Sequence, residues 1–180
     1  QWTHGIEIDA PAEEVWPWVA QIGANRGGFY SYQWLENVMG CHVKNAERIH
    51  PELAMGPKDA LSLHPKMPPF PVALWERGSL IVVHAKPDEA ARAAGKPWVE
   101  TSWGFYVEPL PAKNGSGPRC RFVSRFRSAS SKDLASRLGF GPLLMEPIGF
   151  AMDRRMLLGL KERVDEERRA RHALHHAPPH

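Results

Sequence analysis

Alternation of apolar and polar positions opens the chain. Residues His4, Ile6 and Ile8 alternate with Gly5 and Glu7, the two-residue period of a strand with one buried face. The period then lengthens to that of a helix, with Val15, Trp18, Val19 and Ile22 as its buried stripe. Asp9 is placed to cap this helix, Pro11 fits its first turn, and Glu13 and Glu14 suit its positive end. Pro17 should kink it or cut it short. Gly23, Gly27 and Gly28 break the pattern. Ser31 is placed to cap a second short helix, in which Trp34, Leu35, Val38 and Met39 read as inward and which Gly40 ends.

The middle of the chain reads as strands separated by turn residues. Short ones are expected near Ala46 to Ile49 and Ala60 to His64, followed by Val72 to Trp75 and Leu80 to Ala85, with Glu76, Arg77 and Gly78 as a hairpin turn. The run HPKMPPFP belongs to a loop or a sheet edge, since proline cannot donate to a ladder. After a polar, alanine-rich insertion, Val99, Thr101, Trp103, Phe105 and Val107 share one face of a longer strand. Lys113 to Ser116 supply the turn to its partner, where Phe122, Ser124 and Phe126 point inward and the arginines outward. The remainder is helical from about Ser131, interrupted at Gly139 to Pro142. Met145, Ile148, Met152, Met156, Leu160 and Val164 then recur at three and four residues, a narrow stripe that calls for a broad concave partner.

Composition narrows the class. Over 180 residues, 43% hydrophobic and 24% charged positions describe one ordinary globular domain, with no apolar run long enough to span a bilayer. The formal charge of +3 resides largely in Arg121 to Arg127 and Arg154 to Arg171. RCRFVSRFR alternates charge with apolar residues as a half-buried strand does, so nucleic acid is not an expected partner. Cys41 and Cys120 are far apart and outside any CxxC pattern, which sets two free thiols in a reducing, cytoplasmic compartment as the default. The chain opens on Gln1, so an upstream leader or anchor stays open.

The phrases IDAPAEEVWPWVAQIG, GGFYSYQWLENVMGC, NAERI and MDRRMLLGLKERV, in this order, resemble the SRPBCC superfamily, the START-like and Bet v 1-like helix-grip proteins that include lipid-transport and polyketide cyclase/dehydrase types. The resemblance runs from Ile6 to about Arg163. It implies an α+β helix-grip fold: a curved antiparallel sheet wrapped around a long C-terminal helix, with two short helices between the first two strands and a cavity between sheet and helix. One domain is expected over residues 1–168, followed by a polar tail over 169–180. The insertion Pro87 to Pro97 is the part least like the family.

Candidate chemistry follows from the same elements. Phe29, Tyr30, Tyr32 and Trp34 combine apolar area with polar tips, as cavity linings do. Trp103, Phe105, Phe122 and Phe126 face inward by alternation, and can fill a core or line a pocket. Met145, Met152 and Met156 suit an adaptable wall, though ordinary core packing is favoured for each of them, and Ser124 suits an orienting hydrogen bond or a satisfied core hydroxyl equally well. Arg26 either points into the cavity mouth or covers the glycine loop from outside, the latter being favoured. GANRGGFY is neither a phosphate loop nor a dinucleotide fingerprint, and no GxSxG elbow occurs. The nine histidines show no HExxH or paired Cys/His spacing, so no metal and no cofactor is expected. Tyr30, Tyr32, Glu36, His84 and Glu146 are the available acid/base groups, but linear spacing joins no two of them.

The leading expectation is therefore binding of a hydrophobic or amphipathic small molecule, such as a lipid, polyketide or aromatic compound, with the loops at Arg26 to Tyr30 and Pro65 to Pro71 as lids. A polyketide cyclase/dehydrase-like enzyme is the first alternative. A module whose basic strand and tail meet an acidic protein or membrane surface is the second. Catalytic residues, ligand identity and oligomeric state stay open.

Overall fold

The computed structural model describes residues 1–38, 40, 42–113, 117–131 and 142–175, the last segment without side chains at 142–147 and 175. Strand β1 (Trp2–Ile8) leads into helices α1 (Ala12–Ala20) and α2 (Gln33–Val38), and a 3-10 turn at Pro51–Leu53 precedes the short β2 (Ala60–Leu61). Then come β3 (Phe70–Glu76), β4 (Leu80–Ala85), a small helix α3 (Glu89–Ala93), the long strands β5 (Val99–Leu110) and β6 (Arg119–Ser130), and helix α4 (Pro142–His175). The strands form one antiparallel sheet in the order β1-β6-β5-β4-β3-β2. This is the α+β, helix-grip order expected from the sequence.

Register explains what faces the helix. In β1 and β6, Trp2 opposes Phe126, His4 opposes Ser124, Ile6 opposes Phe122, and Ile8 opposes Cys120. Because side chains alternate across a strand, these pairs share the inner face with Trp103, Phe105 and Val107 of β5. Helix α4 lies along β1 in the same sense: Gly149 sits beside Trp2, Asp153 beside His4, and Lys161 donates to the Glu7 carbonyl. Met156, Leu157, Leu160 and Val164 are buried, each contributing about 1.5–3 kcal/mol by leaving water. Met152 is half-buried. Helix α1 closes one end of this core with Val15, Trp18 and Val19, all buried as expected, and Ile22 follows them. At its far end α4 is tied to α1, for Trp18 Nε1 donates to Glu167 and Arg168 pairs with Glu14. The helix continues beyond Arg168 to His175.

Several local expectations are corrected. No strand forms over Ala46 to Ile49, because its backbone groups are taken elsewhere: Ala46 N–H donates to the Gly27 carbonyl, while Gln21 donates to the Arg48 carbonyl and accepts from the His50 N–H. Strand β2 is only two residues long, and Pro71 lies inside β3 opposite Ala60. The insertion contains α3, whose N-cap Asp88 accepts from the Ala90 and Ala91 N–H groups. Asp9 does not cap α1, which starts from Pro11 with no side-chain cap.

The face of α2 is inverted. Trp34 and Val38 are 66% and 78% exposed, whereas Glu36 is only 1% exposed. The polar side chains of α2 serve the adjoining loop, Asn37 accepting from Val43 N–H and Gln33 from Asn45 N–H, and these bonds set the helix rotation. Ser31 is committed to the Met152 carbonyl of α4 instead of capping α2. The readings for Met39, Cys41, the 114–116 turn, the 139–141 interruption and the side chains of Met145 and Glu146 fall outside the described residues.

Candidate functional site

Three polar side chains meet on the apolar inner face of the sheet. Asp153 projects from α4 toward the β1–β6 pair, and Ser124 Oγ donates to its Oδ1 at 2.5 Å. His4 Nδ1 lies 2.5 Å from Oδ2. Trp103 Nε1 in turn donates to Ser124 Oγ at 2.9 Å, so four residues from three strands and one helix form one chain of hydrogen bonds. Asp153 is 4% exposed while the His4 side chain is 24% exposed, which makes histidine the end that reaches water.

Burial pushes the Asp153 carboxyl above its usual range, against the opposing pull of the hydrogen bonds from Ser124 and His4. The surroundings are aromatic. Trp2 stacks on Phe126, Phe29 stacks on Trp103, Phe126 meets Trp103 edge-on, and Phe150 packs edge-on against His4. A carboxyl group in such a setting can hold a proton, pass it to His4, or receive a hydrogen bond from a polar guest.

The glycine loop is positioned by α4 and by Asn45. Asn45 Oδ1 accepts from the N–H groups of Phe29 and Tyr30, and a Cβ on Gly28 (φ +78°) would collide with that same amide. Tyr30 adopts φ +56°, unusual for a bulky side chain. It is held there from both sides: its hydroxyl donates to the Trp18 carbonyl at 2.9 Å, and the Arg163 guanidinium covers its ring at 4.8 Å. Arg163 also donates to the carbonyls of Ala46 and Gly159. Burial raises the Tyr30 phenol further above its already high range. That hydroxyl is a structural tie, and its proton is not easily moved.

The sequence candidates thus separate. Ser124 bonds Asp153 and Trp103 bonds Ser124, while Phe29, Phe105 and Phe126 pack on Trp103 and Phe122 lies beside Phe105. Met152 and Met156 flank the same stretch of α4, and Met152 offers its carbonyl to Ser31. Tyr32 and Trp34 lie at the surface. Arg26 is on the outer side of the glycine loop, where it lines an open groove of about 680 Å³ together with Lys44, Arg48 and His50. His84 pairs with Glu100 on neighbouring strands, apart from the array.

Asp153 was not singled out from the sequence, and His4 only as one of several scattered histidines. A signal existed for the first: an aspartate three residues before Met156 and seven before Leu160 falls on the apolar stripe, where a charge needs a partner. Glu36 is a second buried acid. Neither of its oxygens has a partner among the described residues, and burial pushes its carboxyl up to about 7. Among the described residues no cluster of histidine, cysteine and acidic side chains is arranged to hold a metal ion. No helix among them is long and apolar enough to cross a membrane.

No protein-family model matches the chain, and no curated protein matches it. Among solved structures it is similar to the di-domain ARO/CYC BexL from the BE-7585A biosynthetic pathway, with 18% identity over 91% of this chain and a TM-score of 0.32. The match covers 46% of that protein, so the chain spans about half its length. A likeness this distant says nothing of what the chain binds.

Proposed function

We propose that the protein binds an apolar or amphipathic small molecule between the sheet and α4, with the His4–Asp153–Ser124 array orienting a polar group of the guest. The observation that supports this reading is the convergence of three polar side chains from three elements within an aromatic surround. Ligand sites commonly combine an apolar wall with a few convergent polar groups, and apolar burial supplies the affinity while those groups supply orientation. Phe29, Trp103 and Phe126 would flank the guest.

The test is native mass spectrometry of protein purified from its own host, with extraction of whatever is bound. A stoichiometric apolar guest, retained by the wild type and lost from Asp153→Ala, is the expected result. Protein that is empty and takes up no hydrophobic fluorescent probe overturns the reading.

A second reading rests on the linkage from water through His4 to Asp153. A histidine at the rim and a carboxyl inside form a path by which a proton can reach a guest, as an isomerase, dehydrase or cyclase requires. Turnover of candidate substrates that disappears in Asp153→Asn while binding persists would move the protein from carrier to enzyme.

A further inference from the structure

We propose that the groove between the glycine loop and the 44–50 segment binds a soluble phosphate ester. The groove is separate in its chemistry from the Asp153 array and stands whether or not a guest occupies the interior. Arg26, Lys44, Arg48 and His50 line it, with Glu47 as the carboxylate of the lining. Its volume of about 680 Å³ admits a phosphate group carrying an organic moiety, within the range of small-molecule sites.

The charges are unevenly used. Arg26 is fixed, its Nη1 donating to the Leu53 carbonyl and its Nη2 pairing with Asp59, yet its Nε is buried with no acceptor among the described residues. The Nε atom has no exposed surface, so Arg26 acts on the groove through its charge. Lys44 and Arg48 are exposed and form no ion pair among the described residues. His50 already meets Glu52 at the rim, and the Glu52 carboxylate lies within the field of Arg48. Cations contributed by both walls suit an anion with three oxygens and two negative charges better than a single carboxylate.

The walls are also preset. Asn45 is held against Gly28, Ala46 is bonded to the Gly27 carbonyl and to Arg163, and Gln21 clamps Arg48 and His50 through their backbones. Little backbone ordering remains to oppose binding, and the ordering cost falls on the Lys44 and Arg48 side chains. A concave site of this kind fits a soluble ester, whereas a bilayer surface calls for protruding cations beside exposed apolar side chains.

The probe is inorganic pyrophosphate, titrated calorimetrically at low and high salt. Saturable 1:1 binding that weakens with salt is expected. The paired change Lys44→Glu and Arg48→Glu should weaken it at least about tenfold, as loss of charge-assisted bonds implies. Glu47→Gln should strengthen it about two- to threefold. All three positions are exposed, so the variants should fold, with circular dichroism as the check. The paired change Arg125→Glu and Arg127→Glu, on exposed positions of β6, alters net charge equally and should leave binding within about twofold. Absence of saturable binding overturns the proposal, and so does equal weakening by the β6 pair. Binding to anionic phospholipid vesicles that pyrophosphate does not compete away also overturns it, in favour of a membrane surface.

Discussion

His4 and Ser124 are cross-strand partners whose side chains reach the two different oxygens of one carboxylate, that of Asp153. The sheet thereby fixes the position of α4 through polar contacts as well as packing. Removing the carboxylate in Asp153→Ala leaves Ser124 and His4 without their shared partner, and an expected loss of about 2–3 kcal/mol follows from unmet buried groups. Urea denaturation measures it. Asp153→Asn should cost less at neutral pH, because it removes the charge and keeps the volume.

Glu36 carries an expected pH signature. Its folded carboxyl lies at about 7 against an ordinary 4.5, so between those values the folded protein holds a proton that the unfolded chain has lost. Stability from this group is complete below about pH 4.5 and is lost as pH rises through about 7, at most about 3 kcal/mol. Glu36→Gln should therefore flatten the fall in stability between pH 5 and pH 8. Denaturation midpoints at those two pH values decide it, and an unchanged slope would place the titration elsewhere.

Tyr30→Phe removes the bond to the Trp18 carbonyl and leaves that buried acceptor unmet, a loss of about 1–2 kcal/mol. Guest affinity should stay within about twofold, since the hydroxyl is already spoken for. Thermal melts and probe binding on one preparation separate the two effects. A large loss of affinity without a loss of stability would return Tyr30 to the ligand site.

Gly159→Ala should be the most damaging small substitution on α4. Its Cβ would land on the Tyr30 carbonyl, which is backbone and cannot swing away. About 3 kcal/mol or more is expected, against the usual gain of about 1 kcal/mol for replacing glycine by alanine inside a helix. Gly149→Ala makes the comparison, since there the obstacle is the far edge of the Trp2 ring, a side chain able to turn. Melting temperatures of the two variants should differ by several degrees.

What the sequence disclosed depended on how far each pattern repeats. Strands β5 and β6 alternate over twelve residues each, and Phe105, Val107, Phe122 and Ser124 were legible from that period. Helix α2 spans six residues, too few for an apolar stripe to outweigh the bonds that Gln33 and Asn37 make with the following loop. The same limit applied to Ala46–Ile49, where Gly27 takes the Ala46 N–H and Gln21, twenty-odd positions earlier, takes the Arg48 carbonyl. The Asp153 array needed the register of β1 against β6 before His4 and Ser124 could be seen as neighbours. The close approach of α4 to Tyr30 had one signal in the sequence, Gly159, a glycine inside a helix that asks for a close contact.

The pairing of β1 with β6 also bears on how the molecule comes to be folded. Seven residues at one end of the sheet wait for partners more than a hundred positions later, and the helix that covers them comes later still. Closing so long a loop is entropically unfavourable and slow, so docking of β1 belongs to the last events of folding. A ribosome releasing this chain exposes Ile6 and Ile8 long before Phe122 and Cys120 exist to cover them. Strand β1 is thus synthesised before β6 and α4 and secured only after both.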